Sequence, residues 1–246
     1  MESFGKNFLK HSSPQNMKPT PHQRGETQPP LEMPYQGDLM YLPSVQTMTM
    51  PRIDLEAAMT YRMSQRKYDF KPISREALAY ALYYTQGVKR TIEHKATFRT
   101  VPSAGARHAF ETYLYINKVD GIDSGLYRYI ASKHALVLLN VNVDAKTMKE
   151  ACLGQRMVED ASVTFFWVAD VQRMTYRYGE RGYRYLFLDA GHIGQNLYLI
   201  AEQLQLGTCA IGAFDDDALN NALGIDIDRM FVAYAAPLGV VLQNNK

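Results

Sequence analysis

Residues Ser162 to Ala169 form an apolar run, with Val163, Phe165, Phe166, Trp167 and Val168 and no charged side chain among them. A strand with one wet face alternates polar and apolar residues, whereas a continuous β-branched and aromatic run suits a strand buried in the middle of a sheet. The run therefore predicts a buried central strand and places the sheet core here. The chain has 246 residues and 46% hydrophobic composition, enough for one large domain or two small ones with a real core.

Around that run the punctuation predicts further elements. Asp54 is placed to cap a helix over Leu55 to Met63, and Ser74 opens a second one, with Ala77, Leu78, Ala81 and Leu82, that stops at Gly87. Thr112 to Lys118, Leu126 to Ile130 and Ala135 to Asn140 read as antiparallel strands, with a turn over Asp120 to Gly125. Asp144 to Gly154 reads as a helix. In Tyr183 to Gln205 the residues Ala190, Ile193, Leu197, Ile200, Ala201 and Leu204 recur at helical spacing, with Gly191 and Gly194 inside. Two glycines in one turn point to another backbone, helix or flat ligand close by. Thr208 to Phe214 reads as a strand, Asp215 to Asp217 as a cap for a helix through Leu223, and Met230 to Leu242 as the last strand. The order predicts an α+β domain, helices flanking a central mixed, mostly antiparallel sheet. No Gly-x-Gly-x-x-Gly or Gly-Lys-Ser/Thr loop supports a doubly wound nucleotide fold.

Seven of the eleven prolines fall in residues 1–50, a stretch with too few apolar residues for its own core. The reading is a Pro-rich arm over 1–50, disordered or with Leu39 to Met50 draped as an extended strand, followed by one domain over 51–246. Lys+Arg 27 against Asp+Glu 25 gives a net charge of +2, too balanced for a general nucleic-acid or membrane-surface partner. Cys152 and Cys209 read as reduced, buried residues, which favours the cytoplasm. No apolar N-terminal region directs secretion, and the most apolar window, Leu197 to Phe214, is broken by Glu202, Gln203 and Gln205.

Several stretches are candidates for chemistry. In Phe98 to His108, Pro102 fixes one backbone angle, and Ser103, Ala104, Gly105 and Ala106 remove nearly all side-chain bulk. Backbone N–H groups there can approach a flat or anionic ligand, with Ser103 as N-cap of a short helix from Ala104 to Phe110; the alternative is a tight turn. Arg62, Ser64 and Arg66 alternate, so an extended backbone projects them to one side as a phosphate clamp, or leaves an exposed basic loop. Arg173, Arg177, Arg181 and Arg184 interleave with Tyr176, Tyr178, Tyr183 and Tyr185, although Gly179 and Gly182 argue against one continuous helix. That segment suits a substrate-facing wall, single-stranded nucleic acid or a solvated surface. His192 near Asp189 lacks a nucleophile elbow, and the scattered histidines do not form a metal site. Ile211-Gly212-Ala213 ends a strand with backbone that faces a ligand or simply turns.

Taken together, these stretches resemble the nitroreductase superfamily, in particular its SagB-type dehydrogenases, relatives of the azoline oxidases of ribosomal peptide biosynthesis. The matching pieces are Arg62 to Arg66, Arg99 to His108, Gly125 to Tyr129, Tyr183 to Leu199 and Ile211 to Phe214, in the family's order over roughly residues 52–242. The resemblance implies a nitroreductase-like α+β homodimer with FMN at the subunit interface and the long helix in the dimer core. It assigns Arg62, Ser64 and Arg66 to the FMN phosphate, ribityl and pyrimidine groups, and Pro102, Ser103, Ala104 and Gly105 to the wall of the isoalloxazine ring. Ile211 and Gly212 match the strand end whose Gly212 N–H lies near flavin N5, a donor that stabilises the reduced ring. Gly191 and Gly194 would allow close helix approach in the dimer core.

Two departures bear on the substrate. The family often places a Lys or Arg after the last strand, where this chain reads Asn244-Asn245-Lys246; azoline oxidases tend to carry Lys-Tyr where this chain has Arg184-Tyr185. A guanidinium stays charged, so Tyr185 remains the proton carrier, and Arg184 with Tyr183 would face the substrate. The resulting expectation is an FMN-dependent oxidoreductase transferring hydride at flavin N5, with NADH or NADPH as possible reductant and a small-molecule or peptide-derived substrate. The alternative is a flavin-binding scaffold subunit of a peptide-modifying, azoline-forming complex.

Overall fold

A computed structural model describes residues 3–92 and 95–242. Its centre is a seven-stranded antiparallel sheet in the order β1-β6-β5-β4-β7-β9-β8. In chain order these strands are β1 (Leu39–Tyr41), β4 (Phe110–Ile116), β5 (Gly125–Ile130), β6 (Ala135–Asn140), β7 (Val163–Asp170), β8 (Leu206–Thr208) and β9 (Met230–Val240); β2 (Val88–Ile92) and β3 (Ala96–Arg99) form a separate hairpin. Strand β7 is the predicted apolar run, every residue of it is buried, and it pairs with β4 on one side and β9 on the other.

The two faces of β7 explain why the run is continuous. Val163, Phe165, Trp167 and Ala169 join a core with α3 (Arg75–Gln86) and α7 (Gly182–Gln203). Phe166 and Val168 point the other way, into a core with α4 (Ala145–Ala151), α5 (Arg156–Asp160) and α8 (Asp216–Leu223). Alternate side chains of one strand thus serve two cores, and both faces of the run are largely apolar.

Most predicted boundaries correspond to local caps. Asp54 accepts from the N–H groups of Glu56 and Ala57 to start α2 (Leu55–Tyr61), Ser74 caps α3, Asp144 caps α4 and Asp215 caps α8. Gly179, at φ +53°, separates α6 (Val171–Tyr178) from the turn that leads into α7. Three expectations need correction. Ser103 does not cap a helix: only Ala104–Ala106 make a short 3-10 turn, because β4 already begins at Phe110 to pair with β7. The strand expected over Thr208 to Phe214 stops at Thr208: the Ala210 N–H turns to the Tyr198 hydroxyl, and one bridge, from Ile211 to Ala235, continues the register with β9. Gly194 faces inward, where an added Cβ would lie 2.9 Å from the Tyr234 ring, so its small size serves packing on β9.

The arm is laid along this domain. It starts with α1 (Phe4–His11), and β1 adds to the free edge of β6 in antiparallel register, Leu39 opposite Val137. Between them the arm crosses a buried ionic cluster. Arg173 contacts Glu111 and lies 3.2 Å from Asp170, which also takes Arg229 at 2.6 Å. Glu111 accepts the Met33 N–H at 2.9 Å, and Arg128 donates to the carbonyls of Met33 and Pro34 at 3.2 and 2.8 Å. Burial pushes the Glu111 carboxyl up, but the guanidiniums of Arg173 and Arg128 more than reverse this and hold it below the ordinary carboxylate range.

Removing one member of such a cluster leaves a buried charge without its partner. Arg173→Leu is expected to lower the unfolding free energy by about 3–5 kcal/mol at neutral pH in urea titration, the deficit narrowing as pH falls, because the parent alone loses the stabilisation of a lowered Glu111 pKa on acidification. A loss under about 1 kcal/mol, the range of an exposed pair, would show that the cluster does not hold this part of the fold.

Candidate functional site

The loop from Pro102 to His108 connects β3 to β4 and is held by its own backbone and by α7. Ser103 Oγ accepts the His108 N–H at 2.9 Å, and the N–H groups of Ala106 and Arg107 turn back to the carbonyls of Ser103 and Ala104. The Ala104 N–H donates to Asp189 Oδ1 of α7 at 3.2 Å. Gly105, Ala106 and His108 all have positive φ, at 56°, 52° and 42°. Left-handed backbone at two non-glycine residues costs energy and persists only where neighbours enforce it. Gly105 is also a close-approach position, since a Cβ there would sit 2.4 Å from the Tyr178 hydroxyl.

Asp189 is the loop's anchor, and its environment is unusual for a carboxylate. It is buried, its second oxygen Oδ2 has no partner, and burial raises its pKa against the opposing bonds from Ser103 and Ala104 and the charge of His192.

The Arg62 to Arg66 segment is extended between α2 and residue Tyr68. Its Gln65 N–H donates to the Thr208 carbonyl at 2.9 Å, and Ser64 bridges Thr208 in parallel. Gly207 permits this approach, because a Cβ there would meet Gln65 at 2.6 Å. Ser64 Oγ lies 2.9 Å from the hydroxyl of Tyr198 on α7, and that hydroxyl accepts the Ala210 N–H at 2.9 Å. Arg62 stands over the Tyr198 ring, 5.5 Å from its centroid. Arg62 and Arg66 are both exposed. Tyr198 therefore joins the candidate phosphate clamp to the strand end at Ile211 and Gly212. Ile211 exchanges both backbone bonds with Ala235, at 2.7 and 3.0 Å, while Gly212 is exposed with open space where a side chain would be.

The Arg/Tyr segment is occupied by its own chain. Tyr183 stacks on Phe231, centroids 6.4 Å apart. Arg184 donates to Ser12 Oγ at 3.3 Å and lies against the Phe8 ring, and its Nε is buried without a partner. Tyr185 accepts from Arg181 Nε at 2.9 Å and packs edge-on against Tyr178. The phenol against the Pro102 to Gly105 loop is thus Tyr178, a residue visible in the sequence only as one member of the Arg/Tyr run.

Helix α7 decides how the two candidate walls are arranged. Asp189 and Tyr198 are nine residues apart, about two and a half turns and ~13 Å along the axis, which puts them on opposite flanks. Leu188, Gly191, His192 and Gln195 form the exposed stripe between those flanks. One chain therefore does not bring Pro102 to Gly105 and Arg62 to Arg66 to a common pocket. Asn244 to Lys246 lie outside the described residues. Among the described residues no helix is long and apolar enough to cross a membrane.

Comparison with known proteins finds a match to the nitroreductase family model over residues 59–240. A Methanocaldococcus jannaschii protein assigned as a nitroreductase is 34% identical over 77% of this chain and 92% of its own length. The trifolitoxin-processing protein of Rhizobium leguminosarum bv. trifolii is 29% identical over 61% of this chain and 41% of its length. Among solved structures, an Anabaena variabilis protein assigned as a nitroreductase is similar with TM-score 0.67 and 33% identity, covering 77% of this chain and 38% of that one. This chain thus spans well under half of the Rhizobium and Anabaena chains. Two structures share the fold at lower identity. An Escherichia coli microcin synthetase complex with truncated pro-microcin bound has TM-score 0.63 and 16% identity, covering 98% of this chain and 92% of that one. A Desulfovibrio desulfuricans protein assigned as a nitroreductase, in complex with FMN, has TM-score 0.55 and 18% identity, covering 79% and 90%.

The Asp189 environment yields a pH prediction. A carboxyl whose folded pKa lies above its unfolded value contributes stability at low pH that is lost as pH rises through the folded pKa. Asp189→Asn keeps an oxygen for the Ala104 N–H and has no charge to desolvate. Its melting temperature relative to the parent is therefore expected to rise between about pH 4 and neutrality, measured by calorimetry across that range. A pH-independent difference would show that Asp189 is ionised without cost.

Proposed function

The chain belongs to the nitroreductase family, and from that premise we propose that it is an FMN-dependent oxidoreductase whose site is assembled between two copies. The observation that carries the dimer reading is the placement of the candidate walls on opposite flanks of α7. Leu188, with 55% of its surface exposed, and Gly191, with open space where its Cβ would be, suit close approach by a second α7. A two-fold pairing along that stripe would set one chain's Pro102 to Gly105 beside the other's Arg62 to Arg66.

The residues present fit the cofactor. Arg62 and Arg66 offer guanidiniums for a phosphate, Ser64 a hydroxyl already oriented by Tyr198, and Gly212 a backbone N–H that no side chain shields. Pro102, Ser103, Ala104 and Gly105 supply a small, pre-shaped wall for a flat ring, and Ile211 anchors the strand end through Ala235. FMN bound there supplies hydride transfer at N5, with NADH or NADPH as reductant for a small-molecule or peptide-derived substrate. The chain's part is to hold the ring, exclude water and offer donors that need no rearrangement. Reduced, buried cysteines support a reducing compartment, the cytoplasm.

Similarity to the trifolitoxin-processing protein favours a second reading, a flavin-binding scaffold subunit within a peptide-modifying complex. Proton carriage by Tyr185 now competes with Tyr178, because the Tyr185 hydroxyl accepts from Arg181.

The purified protein is expected to be yellow and dimeric in sedimentation, and NADH or NADPH should bleach it anaerobically. Arg62→Gln with Arg66→Gln is expected to weaken FMN at least about tenfold by flavin fluorescence. Leu188→Glu is expected to yield monomers that lose the flavin, since each pocket draws on both copies. A folded monomer that retains FMN would refute the shared site, and a colourless protein that cannot be reconstituted would refute the cofactor. A yellow dimer that no donor bleaches would favour the scaffold reading.

A further inference from the structure

A cavity of about 430 Å³ opens beside the Pro102 to His108 loop, walled by Lys89 of β2, Phe98 and Arg99 of β3, and Thr100, Pro102, Ser103, Ala106 and His108. Among the described residues its wall holds three basic side chains, those of Lys89, Arg99 and His108, and no acidic one. Arg99 is only 5% exposed; one nitrogen donates to Gln86 Oε1 at 3.0 Å, and its Nε has no partner. A buried N–H of a guanidinium without an acceptor is costly, and native proteins rarely leave one unless something else occupies the space.

The loop geometry supports the same reading. His108 is held at φ +42° by the Ser103 hydroxyl, and the strained turn directs a nearly buried imidazole to this wall. The Ser103 hydroxyl, which accepts from the His108 N–H and is turned toward Asp189, also stands on this wall, where rotation of its one O–H can serve an anion. We propose that this cavity binds a small oxyanion group of the substrate, a carboxylate or a phosphate, through Lys89, Arg99, Ser103 and His108. The substrate assignment rests on the flavin reading of the adjoining loop, whereas the anion site rests on the cavity itself.

The charge balance agrees with a site built for a negative group. Burial, followed by the charges of Arg99, Arg107 and Lys89, pushes the His108 imidazole down to about 3. The carboxylates that act on Arg99, Glu111 and Glu32, are engaged elsewhere: Glu111 by Arg173 and Met33, Glu32 by Ser132. A bound oxyanion reverses the field at His108, so the imidazole reports occupancy directly.

The test uses full-length protein with 15N-labelled histidine, the His108 resonance being identified with His108→Gln. In chloride buffer His108 is expected to remain neutral down to about pH 5. Inorganic phosphate and succinate are titrated separately; saturable displacement of the His108 signal and a raised titration midpoint with either supports the site and shows which group it takes. Lys89→Gln, at an exposed residue, is expected to weaken the response about tenfold, and Lys146→Gln, at an exposed position of α4, to leave it unchanged. Silence of His108 toward both anions, or an equal response in the parent, Lys89→Gln and Ser103→Ala proteins, overturns the proposal. A colourless protein whose His108 responds keeps the anion site and loses the flavin; a yellow one whose His108 is silent does the reverse.

Discussion

Helix α7 is the spine on which the rest of the molecule depends. Its inward face, Leu186, Ala190, Ile193, Leu197 and Ala201, closes the core over Phe165 and Trp167, and its two flanks fasten the two candidate walls. Asp189 pins the Pro102 to Gly105 loop through one backbone N–H, and Tyr198 links Ser64 to Ala210 through a single hydroxyl. Both anchors are short polar contacts at the margin of a large apolar interface. Core packing sets where α7 lies, and the positions of the walls follow from the helical repeat.

The buried ionic cluster explains why a proline-rich arm is ordered at all. Arg128, Arg173, Glu111 and Asp170 are removed from water, and their mutual pairing leaves donors and acceptors over. The arm satisfies some of them with its backbone, the Met33 N–H toward Glu111 and the carbonyls of Met33 and Pro34 toward Arg128. Proline has lost its N–H but keeps its carbonyl, so a proline-rich strand can still accept from an arginine. The polarity of this layer counts against stability unless the arm is in place, and that ties the arm at Met33 and Pro34 to the sheet rather than to a core of its own.

What was legible in the sequence was local or periodic. The caps at Asp54, Ser74, Asp144 and Asp215 act within three residues, the run at Val163 to Ala169 is continuously apolar, and the stripe on α7 repeats with the helical period. The family motifs placed Arg62 to Arg66, Pro102 to Gly105 and Gly212 in one reading because each is short and ordered along the chain. The hairpin of β2 and β3 was missed: Val88 to Ile92 carries two charges and exposed residues, without alternation that marks a buried face. Helix α1 and the arm's path were illegible for another reason, since they depend on bonds between residues far apart in sequence, Ser12 with Arg181 and Met33 with Glu111. The same holds for Asp189 and Tyr198, whose opposite placement only a built helix reveals.

Arg184 shows how such distant bonds alter a functional reading. Spacing alone leaves it in an Arg/Tyr segment open to several readings, and the family resemblance turns it toward substrate beside Tyr183. In the folded chain Phe8 and Ser12 lie against it, and Arg181 engages Tyr185 and the Ser12 carbonyl. A cation covered in this way contributes to docking the arm, and its field is spent locally. Basic character beside the Pro102 to His108 loop comes instead from β2, β3 and the loop itself, where Lys89, Arg99 and Arg107 gather around His108 although the whole chain carries a net charge of only +2. Near-neutral composition excluded a general polyanion partner, and it is compatible with a concentrated positive field where desolvation makes each charge act over a longer range. The arm thereby screens Arg181 and Arg184, which it covers, and leaves Lys89 exposed beside the loop.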